Sequence, residues 1–168
     1  MVNKIVVFET SMGNFELELF CDKMPITTEN FLYLVEEGCY TGMRFHRVIK
    51  DFMVQGGDPL SKNDKIRNRW GTGGTEPIQD EFVSGLSNTR GTISMANAGP
   101  QTGSSQFFLN VADNEYLDFD KKPFNSKHPV FGKIVSGMEV VDEISEVRSD
   151  SMDRPKENIT VLKAYIKN

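Results

Sequence analysis

The stretch that decides the fold is "FHRVIKDFMVQGGD", residues 45–58. Apolar side chains recur through it with the alternation of strands, which predicts two short strands at 44–49 and 52–56. Each strand carries one polar side chain, Arg47 or Gln55, among large apolar groups. Because an unpaired charge inside a core is costly, Arg47 requires a partner, a position at a rim, or a ligand.

The rest of the chain adds more strands and two helices. Alternating residues predict an antiparallel hairpin from 4–10 and 14–20 around a glycine-containing loop. A helix is predicted to begin near Pro25 with threonine N-caps, and a second to span about 138–146. Further strands are predicted at 90–95, 105–110, 129–134 and 158–166. Many short strands without strand–helix alternation predict a closed or sandwiched antiparallel sheet, as one domain over residues 1–168.

Composition and charge argue against several classes of protein. The chain has 168 residues, a net charge of −5 and a pI of about 5.1, which argues against a nucleic-acid-binding protein. It has no apolar run of membrane-span length. The N-terminal residues lead directly into a strand without a signal peptide, so a cytoplasmic location is expected. Cys21 and Cys39 match no metal or redox spacing and are interpreted as structural thiols.

Motifs of covalent or metal catalysis are missing from the sequence. His46 and His128 are the two histidines, and no G-x-S-x-G motif accompanies them. His46 is followed by Arg47, a poor neighbour for a cation, so neither a hydrolase nor a metal site is predicted. The glycine-rich run at 71–74 is not followed by Lys-Ser/Thr, which favours a surface turn over a phosphate-binding loop.

A second stretch, "SMANAGPQTGSSQFFLNV" at 94–111, combines an apolar strand, an Ala/Gly/Pro loop and a second strand with Phe107 and Phe108. By strand alternation Phe108 shares a face with Gln106, and Met53 shares one with Gln55. The same alternation places Phe45, Arg47 and Ile49 on one face. Two interpretations remain open at this point: a packed interior in which Gln55 satisfies Arg47, or an apolar hollow with a few fixed donors at its edge, as in ligand pockets.

Three segments together resemble one family. "FHRVIKDFMVQGGD", "GTISMANAGPQTGSSQFF" at 91–108 and "HPVFGKIVSGMEVVDEI" at 128–144 are similar to the motifs of cyclophilins, the cyclosporin-binding peptidyl-prolyl isomerases. The resemblance extends over about 5–166 and is greatest to single-domain, cytosolic, prokaryotic-like members. It implies a mainly β fold, a closed eight-stranded antiparallel β-barrel capped by two α-helices. It also implies a monomer that needs no metal or cofactor and that assists protein folding by isomerising X-Pro bonds in unfolded or loop segments.

The resemblance also implies a set of site residues. Arg47 matches the catalytic arginine, and Gln55 is interpreted as the group that orients it. The implied substrate-binding residues are Phe52, Met53, Ala96, Asn97, Gln106, Phe108, Tyr116, Leu117 and His128. A secondary subsite for residues before the proline is implied at Thr72, Ala98, Thr102 and Ser105.

Two features depart from the family pattern. Tyr116 stands where many members have tryptophan, and Trp70, in a distant loop, is not expected to replace it. Cyclosporin affinity is therefore expected to be reduced. An insertion at 119–127 separates Leu117 from His128, and it could bring Phe124 or a lysine to the rim of the pocket.

Isomerisation about an X-Pro bond breaks no bond, so the family's chemistry needs only a pocket for proline and a donor for the twisted amide. An alternative is a proline-peptide-binding module or holdase with little turnover. The intact set of Arg47, Gln55 and Phe108 favours the isomerase over this alternative. A nucleic-acid-binding barrel is disfavoured by the acidic pI and the lack of a basic stripe.

Overall fold

The computed structural model describes residues 2–168, and Met1 lies outside the described residues. The strands are β1 (Lys4–Thr10), β2 (Gly13–Leu19), β3 (Arg47–Ile49), β4 (Met53–Gly56), β5 (Thr92–Met95), β6 (Phe107–Asn110), β7 (Val130–Ser136) and β8 (Val161–Ile166). The helices are α1 (Pro25–Glu36) and α2 (Met138–Ser145), with short 3-10 helices at Pro59–Lys62, Asp64–Arg69 and Glu115–Leu117. Neither of the two α-helices within 2–168 has the length and apolar character needed to cross a membrane.

All eight strands form one antiparallel sheet in the order β3-β4-β6-β5-β7-β2-β1-β8. The predicted closed barrel is wrong, because the sheet is an open, strongly curled half-barrel with β3 and β8 at its edges. The strand predicted to begin at residue 44 begins only at Arg47. The segment before it meets the start of β8 at a single isolated bridge, between Arg44 and Thr160. Three backbone hydrogen bonds between 42–45 and 159–161 flank this bridge, but β3 itself does not pair with β8.

Aromatic side chains fill the inside of the curl. The rings of Phe8 and Phe15 stack with their centroids 5.2 Å apart. The ring centroids of Phe31 and Tyr40 are 5.0 Å apart. Phe45 also belongs to this buried cluster. It precedes β3 and does not share a face with Arg47 as the alternation predicted, because the regular pleat begins only after it.

The first helix begins at Pro25, as predicted, but its N-cap comes from elsewhere. Neither threonine acts as the cap, and the N-cap residue makes no side-chain hydrogen bond. Instead, the carboxylate of Glu81 accepts hydrogen bonds from the backbone N–H groups of Ile26 at 3.0 Å and Thr27 at 2.7 Å. A carboxylate at a helix N-terminus is stabilising because it satisfies free donors next to the positive end of the helix dipole.

Neighbouring residues in β4 and β6 belong to two different hydrophobic clusters. Phe107 and Val54 point into the main core, whereas Phe108 and Met53 form a second cluster with Leu117. This follows from the two-residue period of a strand, which sends neighbouring side chains to opposite faces. The second cluster is therefore on the convex side of the sheet, where a ligand can reach it.

Candidate active site

The second cluster forms the floor of a surface depression of about 280 Å³. The lining residues are Arg47, Phe52, Met53, Gln55, Ala96, Asn97, Phe108, Leu117 and His128. All nine were predicted from the sequence. Two further predicted substrate-binding residues, Gln106 and Tyr116, lie outside this lining.

Strand register brings the polar and apolar halves of the depression together. Arg47 is the cross-strand partner of Gln55 in the β3–β4 ladder. Gln55 in turn lies opposite Phe108 in the β4–β6 ladder. Directly opposed residues have Cβ atoms about 4.5–5.5 Å apart. One row across three strands therefore holds a guanidinium, an amide and a phenyl ring side by side.

The polar side of the depression is a chain of hydrogen bonds. Arg47 Nη1 donates to Gln55 Oε1 over 3.4 Å, and Gln55 Nε2 donates to Gln106 Oε1 at 3.1 Å. Gln106 Nε2 donates to the carbonyls of Gly71 at 3.0 Å and Gly73 at 2.7 Å. Gln106 thus supports the pocket from behind its rim rather than lining it.

The apolar side consists of side chains with little exposed surface. Met53, Phe108 and Leu117 are buried, and the ring of His128 stands edge-on to Phe108 at 5.3 Å between centroids. His128 Nδ1 lies 3.2 Å from the carbonyl oxygen of Met95. Burial lowers the pKa of His128, although the hydrogen bond to Met95 opposes this. The imidazole is therefore neutral at physiological pH and adds no second charge to the pocket.

A buried polar network, which the sequence did not predict, holds the far wall. Asp118 accepts hydrogen bonds from the backbone and side chain of Asn88, both at 2.8 Å. The Asn88 amide also donates to the carbonyl of His128 at 3.1 Å, and Asn114 donates to the carbonyl of Phe52 at 2.9 Å. Burial alone would raise the pKa of Asp118, but hydrogen bonds from Ser87, Asn88 and Lys121 outweigh it and lower the pKa.

A second groove, of about 390 Å³, adjoins the depression and shares Gln55, Ala96 and Asn97 with it. Thr72, Ala98 and Thr102 line this groove as predicted for the secondary subsite, together with Gln106. Ser105 does not line it, because its side chain has no exposed surface. Ser104, which the sequence argument passed over, takes that place.

Tyr116 and Trp70, the aromatic residues compared above with the family's tryptophan, do not line the depression. Tyr116 is 49% exposed and stacks on Phe52 with centroids 6.3 Å apart, so it supports the wall from outside. Trp70 is buried, and the guanidinium groups of Arg44 and Arg67 lie over its ring at 5.7 and 5.0 Å. It is therefore no substitute for the tryptophan that many family members have at the position of Tyr116.

The insertion at 119–127 leaves the pocket open. Phe124 is exposed and does not line the depression, and Lys121 forms an ion pair with Asp118 at 3.1 Å. Lys127 lines a groove of about 700 Å³ that adjoins the depression and shares Asn97 and His128 with it, and its carbonyl accepts a hydrogen bond from the Asn97 side chain at 2.8 Å. The backbone N–H of His128 donates to the carbonyl of Leu117 at 3.1 Å, which closes the insertion at its base.

Comparison with known sequences identifies relatives along the whole chain. The model of the cyclophilin type peptidyl-prolyl cis-trans isomerase family matches residues 5–166. The peptidyl-prolyl cis-trans isomerase ppi1 of Schizosaccharomyces pombe is 43% identical over 164 residues, covering 95% of this chain and 96% of that protein. A peptidyl-prolyl cis-trans isomerase of Acinetobacter baylyi is 38% identical over 173 residues, covering 100% of this chain and 88% of that protein.

Solved structures agree. A cyclophilin type peptidyl-prolyl cis-trans isomerase from Cryptosporidium parvum superposes with a TM-score of 0.86 at 30% identity, covering 99% of this chain and 98% of that one. A structure of the same protein in the presence of the dipeptide Ala-Pro gives a TM-score of 0.84 at 31% identity, covering 98% and 99%. Matching motifs, fold and pocket lead to one conclusion: this chain belongs to the family of cyclophilin-type peptidyl-prolyl cis-trans isomerases.

Proposed function

We propose that this chain accelerates rotation about X-Pro peptide bonds in unfolded or loop segments, without a covalent intermediate and with the help of Arg47. The observation that carries the proposal is the position of the Arg47 guanidinium on the rim of a small depression with buried apolar side chains on its floor. Family membership supports it, as does the Cryptosporidium parvum structure determined in the presence of Ala-Pro.

The chemistry follows from the X-Pro bond itself. Its partial double-bond character gives a barrier of about 18–20 kcal/mol. In the twisted transition state the proline nitrogen becomes pyramidal and gains a lone pair. A guanidinium directed at that nitrogen is stabilising in the transition state and has little to bind in the planar ground state, which is the differential binding that catalysis requires.

Each side of the pocket has its own part in this proposal. Met53, Phe108 and Leu117 bury the proline ring and fix one side of the bond. The backbone of Asn97 holds the substrate chain, and residues before the proline enter the adjoining groove. A charge-assisted hydrogen bond is worth about 1.5–3 kcal/mol. Arg47 then supplies about one to two powers of ten in rate, and the pocket the remainder.

The same proposal covers substrates and setting. The substrates are X-Pro segments of unfolded or incompletely folded proteins, since the depression accommodates little more than a proline and its neighbour. We place the protein in the cytoplasm as a single-domain monomer that assists folding. Cyclosporin binds with reduced affinity because Tyr116 stands where many family members have tryptophan.

The test is the rate of cis/trans exchange of an Ala-Pro-Phe peptide, measured by NMR exchange or a protease-coupled assay. We expect strong acceleration by catalytic amounts of the protein. Peptide binding without acceleration would instead identify a proline-peptide-binding module or holdase. A peptide in which alanine replaces proline is the control, and it should not bind in the depression.

A further inference from the structure

A buried carboxylate lies behind the polar rim of the pocket. Asp58 follows the end of β4 and has no exposed surface. Its Oδ2 accepts hydrogen bonds from the backbone N–H groups of Gly71 at 2.6 Å and Gly73 at 3.0 Å. Its Oδ1 accepts from the backbone N–H of Leu60 at 2.8 Å. Three backbone donors thus converge on one carboxylate, which ties the loop at 71–74 to the end of β4, the strand that carries Gln55.

The other side of this loop faces the pocket rim. Gly71 and Gly73, whose N–H groups bind Asp58, present their carbonyls to Gln106 Nε2 at 3.0 and 2.7 Å. A Cβ atom on Gly73 would overlap Asp58 Oδ1. The loop can approach the carboxylate this closely only because that position is glycine. Asp58 therefore fixes the position of both carbonyls.

The two carbonyls determine the direction of every amide between them and Arg47. A glutamine amide has one donor end and one acceptor end. Since Gln106 must turn its Nε2 to the carbonyls, its Oε1 faces Gln55 and accepts from Gln55 Nε2 at 3.1 Å. Gln55 Oε1 is then left for Arg47 Nη1. In the reverse orientation Gln55 would offer an NH₂ group to a guanidinium, which has no acceptor.

We propose that Asp58 is a positioning residue for Arg47. It holds the loop at 71–74, whose carbonyls orient Gln106 and, through it, Gln55. Asp58 does not touch the substrate. The inference rests on the proposed function, because it concerns the group that we assign as the catalytic donor.

The first test is Asp58→Asn, which keeps the shape of the side chain but replaces one acceptor with a donor. At least one backbone N–H then loses its partner and the loop shifts. We expect kcat for the Ala-Pro-Phe peptide to fall about tenfold while its dissociation constant stays within about twofold, the signature of a lost transition-state interaction. Val6→Ala, buried in β1 in the far part of the sheet, is the control for lost stability and should leave kcat unchanged.

A double-mutant cycle separates positioning from a merely structural effect. If Asp58 acts through Gln106, Asp58→Asn combined with Gln106→Ala loses no more activity than the more damaging single change. Independent effects would multiply and would overturn the proposal. In Asp58→Asn the side-chain amide proton resonances of Gln106 and Gln55 should also move, and unchanged resonances would count against it.

Gly73→Ala is the second variant if Asp58→Asn does not fold. It keeps the buried carboxylate, and its methyl group displaces the loop from Asp58. The same loss of kcat is expected. An inactive wild-type protein would overturn the proposed function. An active wild type whose kcat survives both Asp58→Asn and Gly73→Ala would overturn this inference alone.

Discussion

The side chains of Arg47 and Gln55 face each other across the β3–β4 ladder, with Nη1 and Oε1 3.4 Å apart. This contact is at the protein surface, so by itself it stabilises the fold little. The contact instead orients the Arg47 side chain, because it restricts this long, flexible group to the edge of the depression.

Replacing Arg47 should therefore affect rate more than stability. We expect Arg47→Ala to lower kcat about tenfold or more, since it removes a charge-assisted donor. The free energy of unfolding should change by less than about 0.5 kcal/mol, as for other surface substitutions. Arg47→Lys keeps the charge without the planar fork and should recover only part of the rate. Exchange rates at saturating peptide decide the matter, and a variant as fast as wild type would exclude Arg47 as the donor.

Asp118 should affect affinity instead. Asp118→Asn removes an acceptor from the network that holds Leu117 and His128 at the far wall. We expect a loss of about 1–3 kcal/mol in stability and an increase in KM with kcat largely kept, because the donor side is intact. Urea unfolding and steady-state kinetics test both. The matched control is Asp64→Asn, an exposed partner of Arg44, which should cost less than about 1 kcal/mol and leave KM alone.

Tyr116 should control cyclosporin affinity. It stacks on Phe52 from outside the pocket, and tryptophan there offers a larger surface and an indole N–H donor. We expect Tyr116→Trp to tighten cyclosporin binding about tenfold, with peptide turnover little changed. Calorimetric titration measures this, and Tyr116→Phe, which adds no surface, should bind no more tightly than wild type. Equal affinities for Tyr116→Trp and wild type would locate the determinant elsewhere.

His46 should make the fold sensitive to acid. Burial lowers its pKa to about 4, with Asp58 opposing the shift and Arg154 and Arg47 adding to it. Because the unfolded chain takes up this proton near pH 6.5 and the folded chain only near 4, stability is full above 6.5 and is lost as the pH falls between these values. The loss totals on the order of 3 kcal/mol.

Urea midpoints between pH 7.5 and 4.5 measure that loss. His46→Gln cannot titrate and should give a flatter profile over this range. Some slope should remain, because the pKa of His128 is lowered as well. An unchanged profile in His46→Gln would contradict the assignment.

The sequence patterns predicted those features that depend on residues close together in the chain or within one ladder. The two-residue period placed Met53 with Gln55, and the sequence motifs located Arg47, because these relationships depend on neighbours in the chain or in one ladder. They did not reveal Glu81 as the cap of α1, 54 residues away from Thr27. Nor did they reveal the Asn88–Asp118 network, since a hydrogen bond between loops depends on where the folded sheet places them.

The closed barrel failed for a related reason. Its seam would have required β3 to pair along β8, two segments more than a hundred residues apart. Alternation shows that a segment is able to form a strand, but not how many residues find a partner. What forms there is a short contact between 42–45 and 159–161, and β3 itself does not pair with β8.

The backbone hydrogen bond from His128 N–H to the Leu117 carbonyl closes the base of the 119–127 loop, so that the middle of this loop is replaceable. Lengthening a flexible loop costs only about 0.6 kcal/mol per doubling, and here the pocket residues stand at the anchored stem. Foreign peptides of different lengths could therefore be grafted between Phe119 and Lys127 while the depression keeps its shape.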